Sequence, residues 1–362
     1  MSGNRFKGHL YIGSYGNAAE PTIHVCSYDD ESNAINVIQQ VTEAENASFL
    51  TVDLVNNRLY AVSETEETDG QIGGGALSYT IDEASGELTP LNRQLTHGAH
   101  PCYISLIEET KAVLIANYTG GNAALLPIST DGSLEQASSL VKEADAPLGP
   151  NRDRQDAPHA HAIVPHGGFA YLTDLGTDSV HRYAVSEGKL VLRGTDKVHA
   201  GAGPRHIVFH SGLPRAYVVN ELDSTVTVFE VDRESGGLNL LQTLSALPEG
   251  YEGASFAADI HLAASGRFLY TSNRGHDSIA VFAVDPEDGT LASLQHVSCG
   301  GQFPRNFTLT PDGSGLLVAN QHSGSVIGYT VDQETGLIGE EGKLLLEVSA
   351  PVCLQFGHKA TV

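Results

Sequence analysis

The stretch Thr225–Asp232 (TVTVFEVD) largely alternates apolar and polar residues and ends in an aspartate. A similar design recurs at Ser278–Asp285 (SIAVFAVD) and at Ser325–Asp332 (SVIGYTVD). Such alternation predicts a β-strand with one buried face. A glycine follows each aspartate by four residues, which predicts a tight turn, because aspartate bonds the nearby backbone and glycine adopts positive φ. The spacing is that of a hairpin, and it lacks the full ligand series of a calcium loop.

A second kind of strand, apolar and ending in a small polar pair, sets the number of repeats. It occurs at Leu10–Tyr15, Leu59–Glu64, Val113–Tyr118, Ala170–Leu175, Ala216–Glu221, Phe268–Arg274 and Leu316–Gln321. The ends of these seven strands lie 46 to 57 residues apart. Repeats of this length with four short strands each are typical of propellers. The sequence therefore predicts an all-β fold, a seven-bladed β-propeller with four-stranded antiparallel blades.

The two ends of the chain predict how the ring closes. The first repeat begins directly at Leu10, without the innermost strand that the other repeats carry, and a spare strand lies at Pro351–Phe356. Pairing this C-terminal strand with the first blade would remove the exposed sheet edges. No linker or change of composition interrupts the chain. We therefore expect residues 1–362 to form a single seven-bladed propeller domain.

The charge balance excludes several classes of protein. With 20 Lys and Arg against 44 Asp and Glu, the formal net charge is −24, which argues against a nucleic-acid partner and against docking on an anionic membrane. No apolar run approaches the roughly 18 residues that span a bilayer, and Met1–Lys7 precedes no signal-peptide core. We expect a cytoplasmic protein. Its four cysteines lack metal or disulfide spacing and are expected to be reduced and buried: Cys26, Cys102, Cys299 and Cys353.

Propellers bind ligands over the central channel, at the end where innermost strands start and second strands finish. The residues that finish the second strands are Tyr15, Glu64, Tyr118, Leu175, Glu221, Arg274 and Gln321. Those near the starts of the innermost strands include His100, His159, His161, Arg205, His206, Asp259, His261, Arg305 and Asn306. Three guanidiniums at one mouth, those of Arg205, Arg274 and Arg305, predict a site for a small anion. The histidines supply groups for acid–base chemistry.

Other interpretations of these residues remain open. The arginines and histidines could instead bridge neighbouring blades through ion pairs. His159 and His161 could form half of a metal site, but no third ligand stands out, so we expect neither a metal nor a cofactor. The run that contains Glu64, Glu66 and Glu67 is expected to be a solvated loop. No G-x-S-x-G motif is present to support a serine-hydrolase triad.

Three longer motifs resemble a known family. They are GPRH at Gly203–His206 followed by YVVNEL at Tyr217–Leu222, ADIH at Ala258–His261 followed by LYTSNRGHDSI at Leu269–Ile279, and FPRNF at Phe303–Phe307. Across essentially the whole chain, the sequence resembles the bacterial lactonase family of seven-bladed propellers. That family includes propeller-type 6-phosphogluconolactonases and fungal carboxy-muconate lactonizing enzymes.

The resemblance implies a substrate and a set of catalytic residues. The implied reaction is hydrolysis of a sugar lactone, 6-phospho-glucono-1,5-lactone, to 6-phosphogluconate in the pentose phosphate pathway. The implied catalytic residues are His159, Arg205, Glu221 and Arg274, with His161 as a second candidate for the first position. The partner would then be a small anionic sugar lactone, and the oligomeric state stays open.

The chemistry of the residues suggests a division of roles. Either Glu221 or His159 could activate water, and Arg205, His206 or Asn306 could donate to the oxyanion. Arg274 with Arg305 could clamp a phosphate. The alternatives are a lactonizing cycloisomerase that acts on a muconate-type dicarboxylate, and a non-catalytic binding platform.

Overall fold

The computed structural model describes residues 6–359, which form seven four-stranded antiparallel sheets around a central channel. Blade 1 contains β1 (Lys7–Ser14), β2 (Ile23–Asp29), β3 (Ala34–Val41) and β30 (Pro351–Lys359). Blade 2 contains β4 (Leu50–Asp53), β5 (Arg58–Ser63), β8 (Gly75–Ile81) and β9 (Leu88–Leu95). A small hairpin of β6 (Glu67–Thr68) and β7 (Gln71–Ile72) is inserted before β8. Blade 3 contains β10 (Pro101–Ile107), β11 (Ala112–Asn117), β12 (Asn122–Pro127) and β13 (Ser139–Val141); blade 4 contains β14 (Ala160–His166), β15 (Phe169–Asp174), β16 (Ser179–Ser186) and β17 (Lys189–Lys197), with a 3₁₀ turn at Leu175–Thr177.

The remaining blades have the same design. Blade 5 contains β18 (Pro204–Phe209), β19 (Arg215–Asn220), β20 (Thr225–Val231) and β21 (Leu238–Ser245). Blade 6 contains β22 (Phe256–Leu262), β23 (Phe268–Arg274), β24 (Ser278–Val284) and β25 (Leu291–Ser298). Blade 7 contains β26 (Pro304–Leu309), β27 (Gly315–Asn320), β28 (Ser325–Thr330) and β29 (Lys343–Glu347). The predicted seven-bladed all-β propeller is confirmed.

The predicted turns also hold neighbouring blades together. Gly236 and Gly289 adopt φ of 70° and 69°, which an L side chain rarely tolerates. Their carbonyls accept hydrogen bonds from tyrosines of the preceding blade: Tyr171 Oη donates to Gly236 O at 2.8 Å, and Tyr217 Oη donates to Gly289 O at 2.9 Å. Because both tyrosines are buried, each turn fixes the position of one blade against the next.

The C-terminal strand closes the ring as predicted. β30 pairs with β1, with Leu10 opposite Phe356 and Ile12 opposite Leu354, and it occupies the innermost position of blade 1. The prediction about a signal peptide concerns Met1–Lys7, of which residues 1–5 lie outside the described residues. Within residues 6–359, no helix is long and apolar enough to cross a membrane. The four cysteines are free and buried, as expected.

Candidate active site

β-Bulges in the innermost strands orient several of the side chains at the channel mouth. In blades 3, 4, 5 and 7 the pairing of the innermost strand skips one residue: Cys102, His161, Arg205 and Arg305, respectively. A bulged residue leaves the ladder, and its side chain is aimed differently from those of its neighbours. Cys102, Arg205 and Arg305 line one small cavity of the channel, and Cys102 Sγ lies 3.8 Å from His161 Nδ1. The bulges thus bring residues from separate blades together.

Glu221 lies at the centre of this group. It follows β19, and its Oε2 accepts hydrogen bonds from Arg205 Nε at 3.2 Å and from Arg274 Nη2 at 2.7 Å. His161 Nε2 lies 3.9 Å from the same oxygen. All four side chains are buried. The structure therefore brings together three residues that the resemblance marked as catalytic, and it places His161 beside them.

Arg154 is a fifth member of the cluster, and sequence reasoning missed it. Its Nη2 donates to Glu221 Oε1, and the same nitrogen lies 3.4 Å from the Tyr118 hydroxyl. Arg154 lies in the long connection between β13 and β14 (residues 142–159), outside the repeated strands. The one available signal was the length of this connection, because long structured loops are often functional.

His159 lies at the edge of the cluster, just before β14. Its ring stacks on Tyr118 with centroids 4.6 Å apart. Nδ1 lies 3.2 Å from the Tyr118 carbonyl oxygen, and Nε2 lies 3.1 Å from Asp156 Oδ1. Both of these oxygens are acceptors, so a neutral imidazole can donate to one of them at a time. The Asp156 side chain is 71% exposed, which leaves it able to move aside for water or substrate.

Asp259 organises a second buried network beneath the site. Its Oδ1 accepts from His206 Nδ1 at 2.8 Å. Its Oδ2 accepts from Asn306 Nδ2 at 2.5 Å and lies 3.0 Å from His261 Nε2. The other end of the Asn306 amide accepts from the Leu354 backbone N–H at 2.8 Å. Because both ends of this amide are occupied by protein groups, Asn306 ties blades 6, 7 and 1 together.

Arg305 differs from the other arginines of the site. Its guanidinium lies over the Tyr15 ring at 5.3 Å, and Tyr15 Oη donates to Glu64 Oε2 at 3.0 Å. The Arg305 guanidinium takes part in none of the side-chain hydrogen bonds or ion pairs found among residues 6–359. Its donors are therefore available to a ligand. Glu64 lines the same cavity, so the expectation of a solvated acidic loop was wrong for this residue, although Glu66 and Glu67 are exposed.

The buried charged groups of the site shift one another's pKa values. Burial opposes ionisation of Glu221, but Arg274 and Arg205 outweigh it and hold the pKa of this carboxyl well below its usual range. Burial, followed by the charge of Arg205, lowers the pKa of His161 well below its usual value. The same two causes lower the pKa of His206 to about 4. The geometry agrees, because Arg205 Nη1 lies 3.0 Å from His206 Nε2 and must donate to an unprotonated nitrogen.

This shift predicts a loss of stability in mild acid. His206 binds a proton below about pH 6.5 in the unfolded chain, whereas its lowered pKa delays protonation in the folded protein until about pH 4. The free energy of unfolding should therefore fall over that interval, by about 3 kcal/mol from this group. His206→Gln should make the fall shallower in urea titrations at several pH values. Equal slopes for His206→Gln and the parent protein would contradict the prediction.

Among the side chains of residues 6–359, no three His, Cys, Asp or Glu residues are grouped so that they could hold a metal ion. His159 and His161 point to different partners, Asp156 and Glu221.

The chain is similar to known lactonases along most of its length. The family model described as lactonase, 7-bladed beta-propeller matches residues 9–356. The 6-phosphogluconolactonase of Bacillus subtilis is 36% identical over 96% of this chain and 98% of that protein. The 6-phosphogluconolactonase of Formosa agariphila is 30% identical over 90% of this chain and 93% of its own. The solved structure of a periplasmic gluconolactonase from Pseudomonas aeruginosa superposes with a TM-score of 0.88 and 32% identity, covering 98% of this chain and 99% of that one.

Proposed function

The chain belongs to the lactonase family of seven-bladed β-propellers, and from that premise we propose that it hydrolyses 6-phospho-glucono-1,5-lactone to 6-phosphogluconate. The observation that carries the proposal is the arginine cluster at the channel mouth. Arg154, Arg205, Arg274 and Arg305 face two carboxylates there, those of Glu221 and Glu64. In a chain of net charge −24, this excess of positive charge suits a small anionic substrate.

His159 is the better candidate for the base. Proton transfer is most effective when the base has a pKa near the working pH, and the arginines hold the pKa of Glu221 far below that. Glu221 is also surrounded by guanidinium donors, so a water molecule has little access to its oxygens. His159 lies at the edge of the cluster beside an exposed carboxylate, that of Asp156. We assign Glu221 the role of holding the arginines in place.

The reaction proceeds by direct attack of water. His159 takes a proton from water as the water oxygen bonds to C1 of the lactone, and the carbonyl π electrons move to the carbonyl oxygen. When this oxyanion collapses, the bond between C1 and the ring oxygen breaks, and the ring oxygen takes the proton from His159. The new carboxylic acid then releases one proton to solvent. No covalent enzyme intermediate is needed, because the lactone is already an activated ester.

The phosphate is assigned to Arg305. Two of the Arg274 nitrogens are already engaged, Nε with the Phe256 carbonyl at 3.1 Å and Nη2 with Glu221 at 2.7 Å, which leaves it poorly suited to be half of a phosphate clamp. Arg305 has its donors free, and the face of Tyr15 supports its guanidinium. His206 and Asn306 act as positioning residues, since Asp259 holds both.

Steady-state assays of proton release test the function. The protein should accelerate hydrolysis of 6-phospho-glucono-1,5-lactone well above its spontaneous rate, with glucono-1,5-lactone as a slower substrate. A carboxy-muconate offered under the same conditions should remain unchanged. Conversion of the muconate instead would support a cycloisomerase, and inactivity on every lactone together with a stable protein partner would support a binding platform. Cytoplasmic location belongs to this proposal too, and cell fractionation tests it.

Arg305→Gln should weaken the binding of the phosphate group and leave the binding of the sugar lactone ring unchanged. Hydrogen bonds to charged groups contribute about 1.5–3 kcal/mol, so KM for the phosphorylated lactone should rise by roughly 10–100-fold. KM for glucono-1,5-lactone should change little. Arg267→Gln, at an exposed side chain of blade 6, serves as the control. An equal loss on both lactones would contradict the assignment.

A further inference from the structure

Arg154 is held differently from the other two arginines that contact Glu221. Arg205 Nη1 also donates to the Ala258 carbonyl at 2.7 Å, and Arg274 Nε also donates to the Phe256 carbonyl at 3.1 Å. Both are buried. Arg154 contacts only Glu221 and the Tyr118 hydroxyl through hydrogen bonds, and its side chain is 36% exposed. Of these three guanidiniums, it is the one that can leave Glu221 without breaking a bond to the backbone.

The backbone of Arg154 is fixed, however. Gln155 is fully buried, and its Nε2 donates to the Leu175 carbonyl and to Asp178 Oδ1, both at 2.8 Å. Asp178 Oδ1 also accepts from the Gly203 N–H at 2.9 Å, two residues before Arg205. One carboxylate thus connects the loop that carries Arg154 to the strand that carries Arg205. An anchored backbone with a releasable side chain is what a group that meets the substrate requires.

The position of Arg154 favours the lactone carbonyl over the phosphate. Tyr118 joins Arg154 to the base, since its hydroxyl reaches Arg154 and its ring stacks on His159. Arg154 reaches Glu221 from the connection between blades 3 and 4, which also carries His159, whereas Arg305 comes from blade 7 and lies beside Tyr15 and Glu64. A water activated by His159 attacks C1, so the oxyanion forms on the Arg154 side while the phosphate extends toward Arg305.

We propose that Arg154 is a catalytic residue that exchanges its contact with Glu221 for a hydrogen bond to the oxyanion on C1. This inference rests on the proposed lactonase function. As water adds to C1 and its proton passes to His159, the negative charge grows on the former carbonyl oxygen, and an Arg154 N–H donates to it. When the carbonyl re-forms and the bond between C1 and the ring oxygen breaks, the ring oxygen takes the proton from His159, and Arg154 returns to Glu221.

The test measures kcat for both lactones in Arg154→Ala, Arg154→Lys and the control Arg152→Ala, an exposed arginine of the same loop. Loss of one oxyanion donor typically costs about 10²–10³-fold in kcat, and Arg154→Ala should lose this on the phosphorylated and unphosphorylated lactones alike. Arg154→Lys should retain part of the activity, and millimolar guanidinium chloride should restore part of it to Arg154→Ala. Arg152→Ala should match the parent.

The outcomes separate the inference from the function. An inactive parent protein would overturn the lactonase function itself. An active parent with unchanged kcat in Arg154→Ala would overturn the role of Arg154 alone. A rise in KM restricted to the phosphorylated lactone would make Arg154 a phosphate ligand and would also overturn the inference. Thermal unfolding of each variant shows whether it is folded, and rescue by guanidinium distinguishes a missing donor from a damaged fold.

Discussion

Glu221→Gln is expected to lower kcat for the lactone by roughly 10²–10³-fold, the cost of disturbing a preorganised electrostatic site. The substitution keeps the shape of the side chain and removes its charge. Arg154, Arg205 and Arg274 then lose their shared counterion, and the amide NH₂ must face a guanidinium donor. The arginines should move apart, and the oxyanion should lose donors that were held in place.

The loss of charge also predicts how this variant binds anions. With one negative charge removed from a buried cluster, 6-phosphogluconate should bind Glu221→Gln more tightly than it binds the parent, even though kcat falls. Isothermal titration with the product measures this directly. Glu230→Gln, on β20 of the same blade with a side chain 48% exposed, should change neither quantity. Unchanged kcat would show that Glu221 does not organise the site.

The fold could be predicted because its determinants are local and repeated. The turn from Asp232 to Gly236 is visible in a few residues, and Asp232 bonds the backbone of Ser235 as its residue type suggests. The missing strand before Leu10 and the spare strand at Pro351–Phe356 made closure predictable too, since an unpaired edge is unfavourable. None of these inferences required knowing a distant contact.

The site could be predicted only where it follows the repeat. Glu221 and Arg274 stand at strand ends that the period identifies. Arg154 stands in a loop with no period and meets Glu221 67 residues away, so its role depends on tertiary packing. Glu64 lies in an acidic run of the sequence, and it is distinguished only by tertiary contacts, its hydrogen bond with Tyr15 and its place in the cavity with Arg305.

The bulges had a weak signal in the sequence. Proline directly precedes the bulged residue in blades 3, 5 and 7, at Pro101, Pro204 and Pro304. Within sheets, proline is confined to edges, strand starts and bulges. A proline at the start of an innermost strand therefore indicates that the next side chain leaves the ladder. Blade 4 has alanine at this place, at Ala160, and there the bulge at His161 had no such marker.

His159→Gln is expected to lower kcat by about 10²–10⁴-fold, the usual contribution of a general base. Glutamine can still donate to the Tyr118 carbonyl but cannot take a proton from water. KM for both lactones should change little, because in the proposed mechanism the substrate is held mainly by the arginines. The spontaneous hydrolysis of each lactone, measured without protein, serves as the baseline, and an unchanged kcat in His159→Gln would contradict the role of this residue.

Chemical rescue decides between His159 and Glu221, the two bases that the sequence left open. Imidazole should restore part of kcat to His159→Gly but not to Glu221→Gln, because only the first of these variants lacks the base of the proposed mechanism. If formate restored kcat to Glu221→Gly while imidazole left His159→Gly unchanged, the base would be Glu221, despite the arginines that lower its pKa.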